Sequence, residues 1–453
     1  MSSAPPTISP RLWMVAAVTG CGAFIAMLDS TVANLAIDAI SREFGAPLED
    51  AQWVATSYLV ALALSLPLSA WLSRRFGSRR VWVTALLTFV AASIWCALSR
   101  DMATLTVARC LQGLSAGLMV PTGQAILSEA ANRQQLGRLM GTVGFAVALG
   151  PGLGGVLIDG LSWRWLFWIN VPVGIGAAFA AKYVLPLGEA SSADQLDTTG
   201  LILIGLGLPL VLFGSAGIGE SGLTLSSTSS LAVGMALTMA FVIYARRSQA
   251  PLIDIRLFRR AGFAAAVGTA GLTGAAMYGG LLLIPLFLQD SLHLSATDAG
   301  LMLFMMGMGA AVVLPVAGNV TDRYGALAVS LIGSAILLLS TTAFLWPSML
   351  SLAWAPLLFA RGGGLALAQM PAMTAAYVAV GKNETGDAAT IVNIAQRIGG
   401  ALGAITTVVV LEKAAKADNQ LAYGWGFAVL VTFAAGSMVT SMLLKRPLTQ
   451  SER

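Results

Sequence analysis

Asp29 and Arg109 are the residues of this 453-residue chain whose type and setting carry the most chemistry. Both stand inside long apolar runs. Most other acids lie in polar connections or within a turn of a run's end, whereas Asp29 lies well inside the run near 12–38. An ionised carboxylate at hydrocarbon depth costs about 2.5–3.5 kcal/mol on insertion scales, so it must face protein or a wet cavity. Desolvation favours the neutral carboxyl, and a nearby cation favours the ionised one. A carboxyl whose solvation and neighbours alternate can take a proton on one side and release it on the other. Arg109 either points inward or snorkels to the nearer interface. Enzyme chemistry has no comparable support. A convergent nucleophile–base or metal cluster is needed, and the lone histidine, His293, falls in a polar connection. Cys21, Cys96 and Cys110 lie inside apolar runs without disulfide or metal spacing, and read as small packing residues.

The elements that must position these residues follow from composition. Hydrophobic types make up 57% of the chain and charged types 10%, against about 25% charged in soluble globular proteins. That excludes a soluble enzyme, a disordered chain and a disulfide-stapled secreted domain. A membrane helix needs roughly 20 mostly apolar residues. Fourteen such stretches occur, near 12–38, 51–72, 81–98, 102–127, 136–158, 164–185, 198–217, 227–245, 261–289, 297–318, 326–346, 351–380, 386–411 and 421–444. Their apolar residues run continuously rather than alternating, as helices and not barrel strands require. The expected fold is therefore an all-α polytopic membrane protein with no separate soluble domain. The run after Arg11 is too long for a cleaved signal peptide, which is not expected.

Orientation follows from the 26 Lys and Arg. With the N-terminus inside, eighteen of them fall in inner segments and five in outer ones, while Arg109, Arg361 and Arg397 fall inside spans. Both termini are expected in the cytoplasm. The +5 net charge expresses this asymmetry and does not imply nucleic acid.

The two ends of the chain echo each other. Leu72-Ser-Arg-Arg-Phe-Gly77 is answered 248 residues later by Val320-Thr-Asp-Arg-Tyr-Gly325. Arg109 is answered by Arg361, Pro121 by Pro371, and Gly150 and Gly154 by Gly399 and Gly403. Repeated bundles with a central site are a common construction of secondary transporters. Six spans per repeat leave spans 7 and 8 as an insertion. The expected organisation is a tail 1–11, a six-helix bundle 12–185, a linker with two extra helices 186–260, a second bundle 261–444 and a tail 445–453.

Several segments carry a resemblance. They are Leu28-Asp-Ser-Thr-Val-Ala-Asn34, Leu72–Arg80, Arg109-Cys-Leu-Gln-Gly113, the glycine-rich stretch Gly144–Gly155, Trp163–Pro172 and Pro251–Phe258. Over roughly residues 20–445 the chain resembles the major facilitator superfamily, and within it the 14-span drug:proton antiporters typified by EmrB and QacA. The resemblance implies two six-helix bundles with two additional transmembrane helices between them. It makes Asp29 the proton-coupling carboxylate and brings Arg109, on the cavity-lining span 4, within its reach.

The resemblance also assigns the remaining candidates. Arg74, Arg75, Gly77 and Arg79, with Asp322, Arg323 and Gly325 in the second copy, form a cytoplasmic gate. The first copy departs from the usual pattern, because Arg74 stands where an acid is common. A carboxylate-to-helix latch cannot form there, and Arg74 or Arg75 pairing with Glu129 is an expected substitute. Gly144, Gly150, Pro151, Gly154 and Gly155 match the antiporter motif between the halves. Small residues let helix backbones approach, and proline permits a bend. Asn34, Tyr58, Gln112, Met277, Tyr278, Met305, Arg361, Gln369, Asn393, Gln396 and Arg397 are candidates for a substrate cavity. Methionines around Met305 suit promiscuous apolar ligands.

Energetics narrow the expected function. Proton entry down about 100 mV supplies roughly 2.3 kcal/mol, and one pH unit adds about 1.36 kcal/mol. One proton can then sustain a several-hundred-fold gradient of a neutral lipophile, at about 1.4 kcal/mol per decade. The expectation is a multidrug efflux antiporter of the bacterial cytoplasmic (inner) membrane, exporting lipophilic neutral or monovalent cationic compounds. It is driven by the proton gradient, with no cofactor and no metal. Partners are small lipophilic substrates, protons and membrane lipids. A monomer is the expected working unit, and a periplasmic adaptor is a partner that the resemblance allows. Export of a lipid or other endogenous amphiphile is the alternative, ahead of a proton-coupled symporter.

Overall fold

A computed structural model of the chain describes residues 8–132, 135–143, 162–187, 195–346, 354–415 and 419–444. The described residues are helical with short connections and contain no strand. The helices are α1 (Pro10–Phe44), α2 (Leu48–Ser65), α3 (Leu68–Phe76), α4 (Ser78–Leu98), α5 (Met102–Ala130), α6 (136–143), α7 (Trp165–Trp168) and α8 (Asn170–Val184). They continue with α9 (Thr198–Ser221), α10 (Leu225–Arg247), α11 (Ala261–Asp290), α12 (Ala296–Tyr324), α13 (Ala326–Thr342), α14 (Trp354–Val378), α15 (Thr385–Ala415) and α16 (Asn419–Met442).

Among the described residues, eleven helices are long and apolar enough to cross a membrane. The pair α2–α3 adds a twelfth, bent by 54° where Pro67 interrupts the backbone ladder. The expected fourteen is not reached among the described residues: α14, a 25-residue helix, stands outside this count, and α6 is the described part of the expected span 136–158. The segments 1–7 and 445–453 and Gly144, Gly150, Pro151, Gly154 and Gly155 also lie outside it.

Helix ends follow their sequence signals. Ser9 caps α1 by accepting from Leu12 N at 3.3 Å, with Pro10 in the first turn. Asp101 caps α5 by accepting from Thr104 N at 2.8 Å. The repeated turn is conformational as well as textual. Gly77 ends α3 at φ 86° and Gly325 ends α12 at φ 87°, a left-handed region that glycine enters without a Cβ penalty. Pro121 and Pro371 likewise sit inside the equivalent helices α5 and α14.

Helices α1–α8 pack with one another, as do α11–α16. The inserted α9 and α10 form a hairpin on the outside, and α9 rests on both α2 and α15, one helix from each bundle. Below, the face where α1 begins is called the base and the opposite face the distal face. The two bundles are tied at the base, where α15 meets α3 and α5.

Candidate functional site

The interior of the first bundle is organised around a buried ion pair. Gly113 sets its geometry: a Cβ there would come within 2.2 Å of the Tyr58 carbonyl oxygen, so α5 can lie directly on the α2 backbone. One turn earlier, Arg109 donates from Nε to the Val54 carbonyl at 2.8 Å and from Nη1 to Asp29 Oδ2. The same Nη1 reaches Gln112 Oε1 at 2.9 Å. The guanidinium lies 4.4 Å from the centre of the Tyr58 ring and 5.7 Å from that of Phe167. Asp29 is 3% exposed and Arg109 0%, which excludes snorkelling to an interface.

Polar neighbours complete the network. Gln112 Nε2 donates to Asp29 Oδ1 at 3.2 Å and to Ser93 Oγ at 2.8 Å. Asn170 Nδ2 donates to Asp29 Oδ1 at 3.4 Å and to Ser93 Oγ at 3.3 Å. The Cys96 thiol donates to Gln112 Oε1 at 3.1 Å, and Tyr58 Oη donates to the Ala26 carbonyl at 3.1 Å. Two polar atoms of this network, Arg109 Nη2 and Asn170 Oδ1, have no hydrogen-bond partner among the described residues. The site therefore holds an unused donor and an unused acceptor beside a carboxylate. Such a network can rearrange around one proton without opening to bulk water.

Gln112, expected to line a substrate cavity, is fully buried in this network instead. Asn170 and Ser93 escaped the sequence reading. The available signal was a lone amide in the aromatic segment before Pro172 and a hydroxyl midway along an apolar span.

At the base, the gate candidates divide. Arg74 Nη1 pairs with Asp387 Oδ1 at 2.8 Å, and Glu129 accepts from Thr385 Oγ1 at 3.0 Å. The expected Arg–Glu129 pair is thus replaced, because the first turn of α15 brings both Thr385 and Asp387 to this corner. Arg75 lies half-buried beside Arg74 on the last turn of α3. Arg79 turns back on its own bundle and donates to the Lys182 and Leu185 carbonyls at the end of α8. Asp322 accepts from Gly137 N at 2.9 Å and from Arg138 N and Nε at 3.1 Å. It therefore caps the start of α6 across the bundles. Arg323 lies 5.2 Å from the Tyr324 ring centre, next to the turn at Gly325. Ser69 and Thr390 meet at 2.8 Å, and Tyr377 Oη and Asn393 Nδ2 both donate to Gln124 Oε1, at 3.0 and 2.7 Å. Asn393 thus belongs to the closed base rather than to open space, and Gln124 joins it as a residue that no motif announced.

The other cavity candidates lie between the bundles or within the second. Met277, Tyr278, Met305, Gln369, Gln396 and Arg397 are half-buried. Arg397 Nη1 donates to Tyr278 Oη at 3.2 Å. Arg361, the repeat partner of Arg109, is fully buried and donates to the Ala276 carbonyl at 2.8 Å and towards Met306 Sδ at 3.6 Å. No acid stands against it among the described residues. Asn34 lies on α1, with its side chain outside the described set. No group of residues suited to hold a metal ion occurs among the described residues.

Comparison with known proteins bears on this arrangement. The profile described as Major Facilitator Superfamily matches residues 19–404. The multidrug resistance protein B homolog of Mycobacterium tuberculosis (strain ATCC 25618 / H37Rv) is 31% identical over 421 residues, covering 90% of this chain and 78% of that protein. The putative multidrug resistance protein MdtD of Escherichia coli (strain K12) is 34% identical over 336 residues, covering 72% and 69%. Among solved structures, the human organic anion transporter MFSD10 (TETRAN) aligns with a TM-score of 0.66 at 16% identity, covering 96% of this chain and 100% of that one. The proton:xylose symporter XylE aligns with a TM-score of 0.65 at 13% identity, covering 95% and 94%. At such identities these two bear on the fold alone.

Proposed function

The chain belongs to the Major Facilitator Superfamily, and from that premise we propose that it is a proton-coupled multidrug efflux antiporter in which Asp29 carries the proton. The observation that bears most weight is the buried Asp29–Arg109 pair with its amide neighbours Gln112 and Asn170. The names of the relatives support the multidrug reading.

In this cycle the base face is cytoplasmic, the membrane is the bacterial inner membrane, and the two bundles rock about the central site. The cross-bundle pairs Arg74–Asp387 and Asp322–Arg138 hold the base shut in one conformation. Protonation neutralises the Asp29 carboxylate and removes the charge that holds Arg109. The guanidinium keeps its bond to the Val54 carbonyl and can turn its freed Nη1 towards other acceptors. Loss of the proton restores the pair. Substrate export is coupled when the two states of this pair favour opposite-facing conformations. Neutral lipophiles and monovalent cations are compatible with one proton per cycle. A monomer suffices, since the two bundles of one chain supply both walls of the site. A periplasmic adaptor is proposed on resemblance alone.

The test is transport by reconstituted protein under an imposed pH gradient. Asp29→Asn should abolish gradient-driven export of lipophilic drugs while leaving the protein monodisperse. Undiminished export by Asp29→Asn removes Asp29 from coupling. Transport of a lipid with failure of every drug moves the function to lipid export.

A further inference from the structure

The deep charges of the two bundles do not match. In the first bundle the Asp29 carboxylate cancels Arg109. The second bundle contains Arg361 and Arg397, while its described acids, from Asp290 to Glu412, stand at helix ends. Arg361 is sealed against the Ala276 carbonyl and Met306, and Gly280 leaves its guanidinium room. Arg397 is different. It sits about 18 Å along α15 from Thr385, at 1.5 Å rise per residue, near the middle of a hydrocarbon core about 30 Å thick. It is half-buried there, and its one hydrogen bond among the described residues goes to a neutral phenol, Tyr278 Oη. Its remaining donors have no partner among the described residues.

Two further observations aim this guanidinium between the bundles. The Tyr278 ring lies over Gly400, where a Cβ would come within 2.5 Å of ring carbon Cδ2, so α15 is shaped to hold the phenol that holds Arg397. Arg397 also follows Asn393 by about one helical turn and Thr390 by about two on α15, and those two residues meet Gln124 and Ser69 of the first bundle, at 2.7 and 2.8 Å. Arg397 thus lies on the face of α15 that turns to the first bundle instead of to lipid. An intramembrane arginine is stable when it meets an anion or water, and a guanidinium fork matches the two oxygens of a carboxylate.

We infer that Arg397, positioned by Tyr278, binds the anionic group of the transported molecule, so that the favoured substrates are amphiphiles bearing a carboxylate or similar oxyanion. The inference rests on the transport reading above and departs from the neutral and cationic classes that the sequence favoured. Asp29 does not repel such a ligand strongly, because Arg109, Gln112 and Asn170 hold its charge on the far wall.

The experiment is a titration of purified full-length protein with three probes that share one fluorophore: dansylglycine (a carboxylate), dansylamide (neutral) and dansylcholine (a quaternary ammonium). Energy transfer from the protein's tryptophans reports binding. Wild type should bind dansylglycine at least tenfold more tightly than the other two. Arg397→Gln should bring dansylglycine to the level of dansylamide, whereas Arg397→Lys keeps a several-fold preference for the anion. Tyr278→Phe should weaken dansylglycine several-fold and leave dansylamide unchanged, which gives a second route should Arg397→Gln fail to fold. Equal binding of the three probes, preference for dansylcholine, or retained anion preference in Arg397→Gln overturns the inference. Gradient-driven flux in proteoliposomes separates it from the reading on which it rests. Anion-selective binding without proton-driven flux overturns antiport and leaves the Arg397 site standing. Proton-driven flux without anion preference overturns the Arg397 site and leaves antiport standing.

Discussion

Arg74 pairs with Asp387 at 2.8 Å, and the repeat-related positions hold Asp322 and Arg138 at 3.1 Å with the two charges exchanged. In each case a residue on the last turn of a helix, α3 or α12, meets the first turn of a helix in the other bundle. In one latch that last turn supplies the base and in the other the acid. Asp322 gains from the α6 N-terminus, and Asp387 gains from the first turn of α15, so both carboxylates lie where a helix dipole favours them. The departure from the usual acid at position 74 is therefore matched by a compensating acid on the opposite bundle.

The first prediction concerns this latch. Arg74→Glu should slow gradient-driven export by favouring the state open at the base, and Arg74→Glu with Asp387→Arg should restore much of it. A double-mutant cycle should give a coupling of about 0.5–1 kcal/mol, since Arg74 remains partly exposed. A double variant no better than the worse single one would separate the contact from gating.

The buried pair gives a second, stability-based expectation. Arg109→Ala leaves the Asp29 carboxylate without its counter-charge and should cost about 3–5 kcal/mol. Removing both charges in Asp29→Asn with Arg109→Gln should recover most of that loss, because neither desolvated ion remains. The double variant should still fail to couple protons. Thermal unfolding of the purified variants, read beside flux, checks both halves of the statement.

A pH effect is expected at the distal face. Glu43, beyond the membrane-crossing part of α1, accepts from Arg164 Nη1 at 2.5 Å and from Trp163 Nε1 at 2.6 Å. Partial burial pushes its carboxyl up, but these hydrogen bonds and the Arg164 charge outweigh burial and hold it below its ordinary 4.5. A carboxyl lowered on folding contributes stability above its unfolded pKa and loses it as pH falls through the folded one. The wild-type melting temperature should thus fall more steeply than that of Glu43→Gln as pH drops below about 4.5. Parallel curves for the two proteins would remove Glu43 from acid stability.

Voltage supplies the fourth test. Export of a monovalent anion against one entering proton moves two charges, a neutral substrate one, and a monovalent cation none. Each charge is worth about 2.3 kcal/mol per 100 mV. The dansylglycine gradient sustained at steady state should therefore respond to an imposed potential about twice as steeply, on a logarithmic scale, as that of dansylamide. A gradient of dansylglycine that ignores potential contradicts one-for-one anion–proton exchange.

Much of the architecture was legible in the residue order. Continuous apolar runs specify helices because hydrocarbon tolerates no unpaired backbone. The 248-residue echo was correct down to the dihedral level, since Gly77 and Gly325 share one left-handed turn. Asp29 announced itself by being an acid where charge is expensive. These properties are local, or depend on the solvent alone, and so they survive without knowledge of neighbours.

Partnership was not legible. The residues that meet across the bundles at the base are separated by 184 to 321 positions, and only the docking of two bundles decides which of them touch. That docking sent Arg74 to Asp387, left Glu129 to Thr385, and drew Asn393 into the closed base. Packing within the first bundle likewise assembled Asn170, Ser93 and Gln112 around Asp29 from three different helices. Charge type and depth are set by sequence and solvent. Whether a buried charge is cancelled, as Arg109 is, or left facing the space between bundles, as Arg397 is, depends on which helix packs beside it.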